Sequence, residues 1–238
     1  MGRSRCGTWT LSLTALAGST TTRWRARTGR TTCACSACRD SVRPAQLDRL
    51  DGVTTREDRC GGQMAILKVA NMGNPVLRHE AEPVTSRDLK SLPVQQLIDD
   101  MIETLVEYRG VGLAGPQVHE SRRIILVDRS AGEDPEDGIL VLVNPVITEA
   151  SEATDEDWEG CLSIPDIRGR VVRASQIVVE SRDRKGRDQA LSVSGFTARI
   201  MQHEIDHLDG VLFLDRMTDM LSLTFLPEYG RYWIDDSD

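Results

Sequence analysis

A chain of 238 residues, 39% of them apolar, is long enough to fill the core of one ordinary domain, and global disorder does not suit it. Its formal charge of −8 argues against a broad phosphate-binding surface and so against nucleic acid as a partner. No apolar run approaches the roughly 18 to 20 residues of a spanning helix, so the sequence reads as soluble and not as a membrane protein.

Two unlike pieces hide in that average. Residues 1–63 hold 11 of the 29 basic residues, all Arg, against 5 of the 37 acids, a balance of +6, while the remainder stands at −14. Met1 to Arg39 contains no acid and shows no period of 2 or 3.6, so no packed core can be drawn there. Its Arg- and Ser/Thr-rich composition matches an organellar transit peptide. A short apolar stretch through Leu11 and Leu13, with Ala15-Leu16-Ala17 as a cleavage-like triplet, sketches a secretory signal instead. We read residues 1–63 as a disordered, processed or mis-started extension and residues 64–238 as the working domain, because patterned sequence begins at Met64. Cys33-Ala-Cys35-Ser-Ala-Cys38 lacks the paired C-x-x-C spacing of zinc sites, and we read these as incidental thiols.

In the body, Asn74-Pro75-Val76-Leu77-Arg78 reads as extended, since the residue before proline is pushed from the helical region. Val94, Leu97, Ile98, Met101, Ile102 and Leu105 form an amphipathic stripe. This spacing predicts a helix over about Pro93–Tyr108, stopped by Gly110. Gly110-Val111-Gly112-Leu113-Ala114-Gly115-Pro116-Gln117 follows a helix and lacks Lys-Ser/Thr, which argues against a nucleotide loop. It is either a tight connector or a place where backbone approaches a ligand while Gln117 offers an amide donor. Arg123–Val127 and Ile139–Val143 read as strands around an acidic loop. Ile177–Glu180 and Ala190–Val193 flank the turn Arg184-Lys185-Gly186-Arg187 as a hairpin. A last helix over about Gly195–Leu208 closes at Gly210. Without regular βαβ alternation the fold class is α+β, antiparallel or mixed strands packed around a central helix.

That last helix carries His203-Glu204-Ile205-Asp206-His207, or H-E-x-x-H. Two imidazoles four residues apart project from one face and can grip a metal ion, and Glu204 is placed near the metal without binding it, as a general base requires. The bland alternative is two surface histidines on a charged helix. A catalytic centre needs a third protein ligand and an open position. The metzincin pattern puts a histidine where this chain has Phe213, so that reading fails. Glu228, 21 residues past His207 in the turn-like Leu226-Pro227-Glu228-Tyr229-Gly230, would make a zinc peptidase. Cys161, the one cysteine of the body, stands in Trp158-Glu159-Gly160-Cys161-Leu162-Ser163-Ile164-Pro165 and is the other candidate. A closed structural metal module with a fourth protein ligand is the non-enzymatic alternative, and it leaves Glu204 unexplained. Glu159, Arg168 and Arg173 are either charged support around Cys161 or solvated surface. Asp206 either orients an imidazole or faces water, and His79 and His119 read as surface residues.

Taken together, Gly110–Gln117, Glu159–Ser163 and Gln202–His207 resemble, in order, the G-x-G-L-A-A-P-Q, E-G-C-L-S and Q-H-E-x-D-H motifs of the peptide deformylases. The resemblance covers about Met64 to Met217. It implies a hydrolase that removes the formyl group from the N-terminal formylmethionine of nascent chains. It also implies Cys161, His203 and His207 as ligands of one metal, Fe(II) with zinc, nickel or cobalt as substitutes. Glu204 is implied as general base, the Gln117 side chain and the Leu162 N–H as donors to the formyl oxygen, and Gly112 as a close neighbour of the substrate. The peptide would bind as an added strand with its methionine in an apolar pocket. The implied partners are formylmethionyl nascent peptides and the ribosome; the compartment is the bacterial cytoplasm, or an organelle if residues 1–63 are a transit peptide. One departure is Gly115 in place of the family's usual alanine, which we expect to loosen the loop that positions Gln117.

Overall fold

The computed structural model describes residues 65–131 and 138–234. The readings of residues 1–63 and their cysteines, and most of the acidic loop before Ile139, lie outside them. The described chain runs through helices α1 (Ser86–Leu89) and α2 (Leu92–Glu107), then strands β1 (Gly112–Ala114), β2 (Ile124–Asp128), β3 (Ile139–Ala150), β4 (Thr154–Cys161), β5 (Ile164–Ala174), β6 (Gln176–Arg182) and β7 (Asp188–Ser194). Helices α3 (Gly195–Leu208) and α4 (Phe213–Arg216), strand β8 (Thr224–Phe225) and helix α5 (Leu226–Tyr232) complete it. One sheet has the order β1-β2-β3-β6-β7 and a second the order β4-β5-β8. All these pairings are antiparallel. The α+β expectation holds, but among the described residues nothing makes the sheets mixed: the one parallel bridge, Glu82 to Arg122, lies outside the strands.

The larger sheet is covered on both faces, which explains why β2 reads as an unbroken apolar run. Ile124 and Leu126 share a core with Ile98, Met101 and Leu105 of α2. Ile125 and Val127 share another with Ala198, Met201 and Ile205 of α3. Each fully buried Leu or Ile contributes about 1.5–3 kcal/mol, so these two layers fix α2 on one face of the sheet and α3 on the other. A third core, with Leu77, Ile164, Val171 and Phe213, surrounds Cys161.

Helix α2 carries the proline in its first turn, starting one residue before it, and the hairpin pairs Arg182 with Asp188, as the sequence predicts. Three readings are corrected. Asn74 is extended (φ −73°, ψ 128°), but its side chain accepts the Val76 N–H and turns Pro75–Arg78 into a 3-10 helix. Strand β3 does not end at Val143; it shifts register at Asn144-Pro145 and runs on to Ala150, a bulge being a place where a strand tolerates proline. Asn144 adopts φ 53°, and its side chain holds Val84 at both the backbone N–H and the carbonyl, each at 2.8 Å. The turn expected at Leu226–Gly230 is α5, which Pro227 opens as an N-terminal proline does.

Candidate metal centre and catalytic cleft

Three segments far apart in sequence meet here. Cys161 ends β4, while His203 and His207 lie one turn apart on α3, and all three are buried. Their ligand atoms lie within 4.8 Å of one another, with Cys161 Sγ 3.2 Å from His207 Nε2. Among the described residues this is the only such group, and it has three members. Glu228 is not one of them: it sits on α5, its side chain 45% exposed and 3.5 Å from Arg231. Phe213, at the metzincin position, stacks on the His203 ring with centroids 6.2 Å apart. His79 and His119 are exposed.

The donor set fits a divalent metal. Burial raises the Cys161 thiol, but the charges and hydrogen bonds of His207 and His203 outweigh it and hold the thiol well below its ordinary value. Ser163 N–H at 3.4 Å and Gln117 Nε2 at 3.5 Å also point at the sulfur. His203 Nδ1 lies 2.9 Å from Glu159 Oε2, which leaves Nε2 for the site. Such an outer partner fixes ring orientation. A thiolate and two imidazoles suit a soft or borderline ion.

Glu159, 5% exposed, also accepts from Arg173 Nε at 2.9 Å, Arg173 Nη2 at 3.0 Å and Arg199 Nη1 at 3.0 Å. Burial alone would raise its carboxyl; the His203 and Arg173 hydrogen bonds and charges win and hold it at about 2. Asp206 neither touches an imidazole nor faces water: it pairs with Arg173 Nη1 at 2.5 Å and with Arg216 Nη2 at 2.7 Å. Glu159 and Arg173 are therefore buried support, and Glu159 orients the imidazole. Arg168 lies against Gly160, filling the space a Cβ there would need. Arg199 was not singled out from the sequence, although it precedes His203 by the same four residues that separate His203 from His207.

Glu204 is 4% exposed and its Oε2 has no hydrogen-bond partner among the described residues. Burial lifts its carboxyl to about 7 against the pull of His203 and His207. Gly112 on β1 makes room for it, since a Cβ at Gly112 would lie 2.8 Å from Glu204 Cδ. The Gln117 amide is held by its oxygen, which accepts the Ala114 N–H at 2.7 Å. Gly115 does not loosen this loop. A Cβ there would lie 2.5 Å from the Arg122 carbonyl oxygen and 2.8 Å from that of Glu120, so its lack of a side chain lets the following turn pack tightly. Glu204, Gln117, Cys161, Leu162 and Gly112 all line one cleft of about 820 Å³.

The polypeptide deformylase family model matches residues 66–222. A peptide deformylase of Halothermothrix orenii is 46% identical over 154 residues, 65% of this chain and 95% of that protein. One from Desulfitobacterium hafniense is 45% identical over 153 residues, 64% and 95% of the two chains. The Met-ala-ser-bound crystal structure of the class I type b peptide deformylase from Acinetobacter baumannii matches with TM-score 0.62 at 41% identity, over 65% of this chain and 100% of that one. The chain belongs to the polypeptide deformylase family. Members are metal-dependent hydrolases that take the N-formyl group from newly made polypeptides, and that is its activity.

Proposed function

We propose that Cys161, His203 and His207 hold one divalent metal, ferrous iron in the native enzyme, within a catalytic domain that begins at Met64, and that α3 with its H-E-x-x-H is the central helix of the site. When bound, the metal lowers the pKa of a water toward neutrality and polarises the formyl carbonyl. Glu204 takes a proton and returns it to the departing amine. Burial holds its carboxyl above the ordinary value and leaves Oε2 short of a hydrogen bond, which suits a group that takes a proton and gives it back. Gln117 Nε2, fixed by the Ala114 contact, and the Leu162 N–H donate to the formyl oxygen as charge builds on it. Gly112 lets the substrate backbone approach. The substrate is a formylmethionyl nascent peptide, added as a strand, with the methionine side chain beside Phe196 and Ile200 of α3, which line the cleft. The Acinetobacter enzyme was crystallised with Met-ala-ser, the peptide that formyl removal leaves from formyl-Met-Ala-Ser. The place of work is the cytoplasm, at the ribosome. Among the described residues no helix is long and apolar enough to cross a membrane.

The observation that carries the assignment is the buried, under-bonded Glu204 beside three converging ligands. Glu204→Gln should keep its metal and lose about two to four orders of magnitude in turnover of formyl-Met-Ala-Ser, whereas Cys161→Ala should lose metal. Wild-type turnover in the first variant, or full metal occupancy in the second, would refute the roles given.

A further inference from the structure

Residues 224–232 lie past the stretch 66–222 that the family model matches, yet Leu226 among them lines the cleft. Strand β8 is held in register by β5, with Ile167 opposite Phe225 and Arg168 opposite Thr224, and the Arg170 N–H donates to Ser222 Oγ at 3.0 Å. The next residue, Leu226, opens α5 with Pro227 directly behind it. Its backbone is therefore set from both sides, by strand pairing before and by the fixed φ of proline after. From there Leu226 lines the cleft, as Trp158 of β4 also does. Helix α5 is in turn fastened over Trp158. The Tyr229 ring meets it edge-on at 4.9 Å, Trp233 lies 5.3 Å away, and the Arg170 guanidinium sits 5.2 Å from the Trp158 ring and 5.8 Å from that of Trp233. Ring pairs and cation–π contacts of this kind add to what area burial alone contributes.

The cleft holds more than a formylmethionine. About 820 Å³ is high in the range of roughly 300–1,000 Å³ that takes a drug-sized molecule. Phe196 and Ile200 line it from α3, seven and three residues before His203, whereas Trp158 and Leu226 line it from the second sheet and the helix beyond it. Leu226 remains 38% exposed, an apolar surface that a peptide side chain in the cleft would cover. Asp166 and Arg168 of β5 also line the cleft and carry opposite charges. Resting on the deformylase reading, we propose that Trp158 and Leu226 form an apolar wall that selects a bulky apolar side chain downstream of the formylmethionine, with Tyr229 and Trp233 as positioning residues that hold the wall in place.

The test compares kcat/KM of the metal-loaded full chain on formyl-Met-Ala-Ser, formyl-Met-Leu-Ser and formyl-Met-Ala-Leu. Wild type should favour a leucine peptide by about tenfold. Leu226→Ser should cut that preference to within about twofold, through KM and not kcat, and Leu226→Met should restore it. Trp233→Ala, whose ring does not line the cleft, should reduce the same preference with kcat on formyl-Met-Ala-Ser unchanged. A wild type indifferent to leucine, a preference untouched by Leu226→Ser, or a Trp233→Ala variant that loses kcat equally on all three peptides would overturn the wall. A wild type that deformylates none of them would overturn the proposed function, and the wall with it.

Discussion

Replacing Glu159 by Gln removes one negative charge from a buried cluster that also holds Arg173, Arg199 and Asp206. Arg173 keeps its contact with Asp206, but Arg199 keeps only the exposed Asp155 and backbone carbonyls. Stripping a buried ion pair of one partner costs about 3–5 kcal/mol. Titration gives a second measure. The carboxyl moves from 4.5 to about 2 on folding, which at about 1.4 kcal/mol per tenfold is about 3 kcal/mol. We expect Glu159→Gln to lose about 3 kcal/mol, or roughly 6–12 °C in Tm at about 2–4 °C per kcal/mol. Because folding depresses this pKa, the stabilisation is present in full above about 4.5 and is lost as pH falls toward about 2. The difference between the wild-type and variant urea midpoints should therefore stay constant from pH 7 to about 5 and shrink below. Freed from Glu159, the His203 ring should also cost about 10–100-fold in metal affinity, read by competition with a chelator. As a control, Glu156→Gln breaks a 3.9 Å pair with Arg170 in which both side chains are over 40% exposed, and should change stability by under about 1 kcal/mol. Equal small effects of the two substitutions would refute the argument.

Gly112→Ala should push the Glu204 carboxylate aside, lowering kcat at least about tenfold with metal content unchanged; unchanged kcat would mean that Glu204 tolerates displacement. If the native metal is ferrous iron, activity should decay in air as oxidants attack the Cys161 thiolate, survive anaerobic handling, and persist in air after nickel or cobalt substitution. Full activity from anaerobically purified zinc protein would refute iron and leave the hydrolytic reading intact. A chain starting at Met64 should fold and deformylate formyl-Met-Ala-Ser at the full-length rate, and loss of activity on trimming would place residues 1–63 inside the working domain.

Helices α2 and α3 were legible because one face of each is apolar and their ends carry proline and glycine signals. The convergence of Cys161, His203 and His207 was legible because two of the chain's four histidines stand four residues apart on one helix and Cys161 is the one cysteine of residues 64–238. What escaped was whatever depends on a distant partner. The Thr154-Asp155-Glu156-Asp157 run of β4 has little strand character of its own, and β5 pairs it residue by residue. Glu159 and Arg173 stayed open in sequence between support around Cys161 and solvated surface, since a separation of 14 positions hides that each buries the other. Asn144-Pro145 looks like the end of a strand because a bulge and a terminus use the same residues.

A strand that is apolar on both faces carries no phase information. Shifting Ile124–Val127 by one residue would exchange its α2-facing and α3-facing side chains for others just as apolar. Alignment must come from groups that accept only one partner, and Asn144 supplies them: its side chain clamps Val84, and its own N–H donates to the Arg123 carbonyl at 2.8 Å, one residue before β2 begins. Strand β1 takes its alignment from β2, with Ala114 opposite Ile125, and Ala114 in turn holds the Gln117 amide. A slip of one residue is about 3.3 Å, more than the length of the hydrogen bond that Gln117 has to offer. The aim of that amide is thus set from an asparagine 27 residues further along the chain that never enters the cleft.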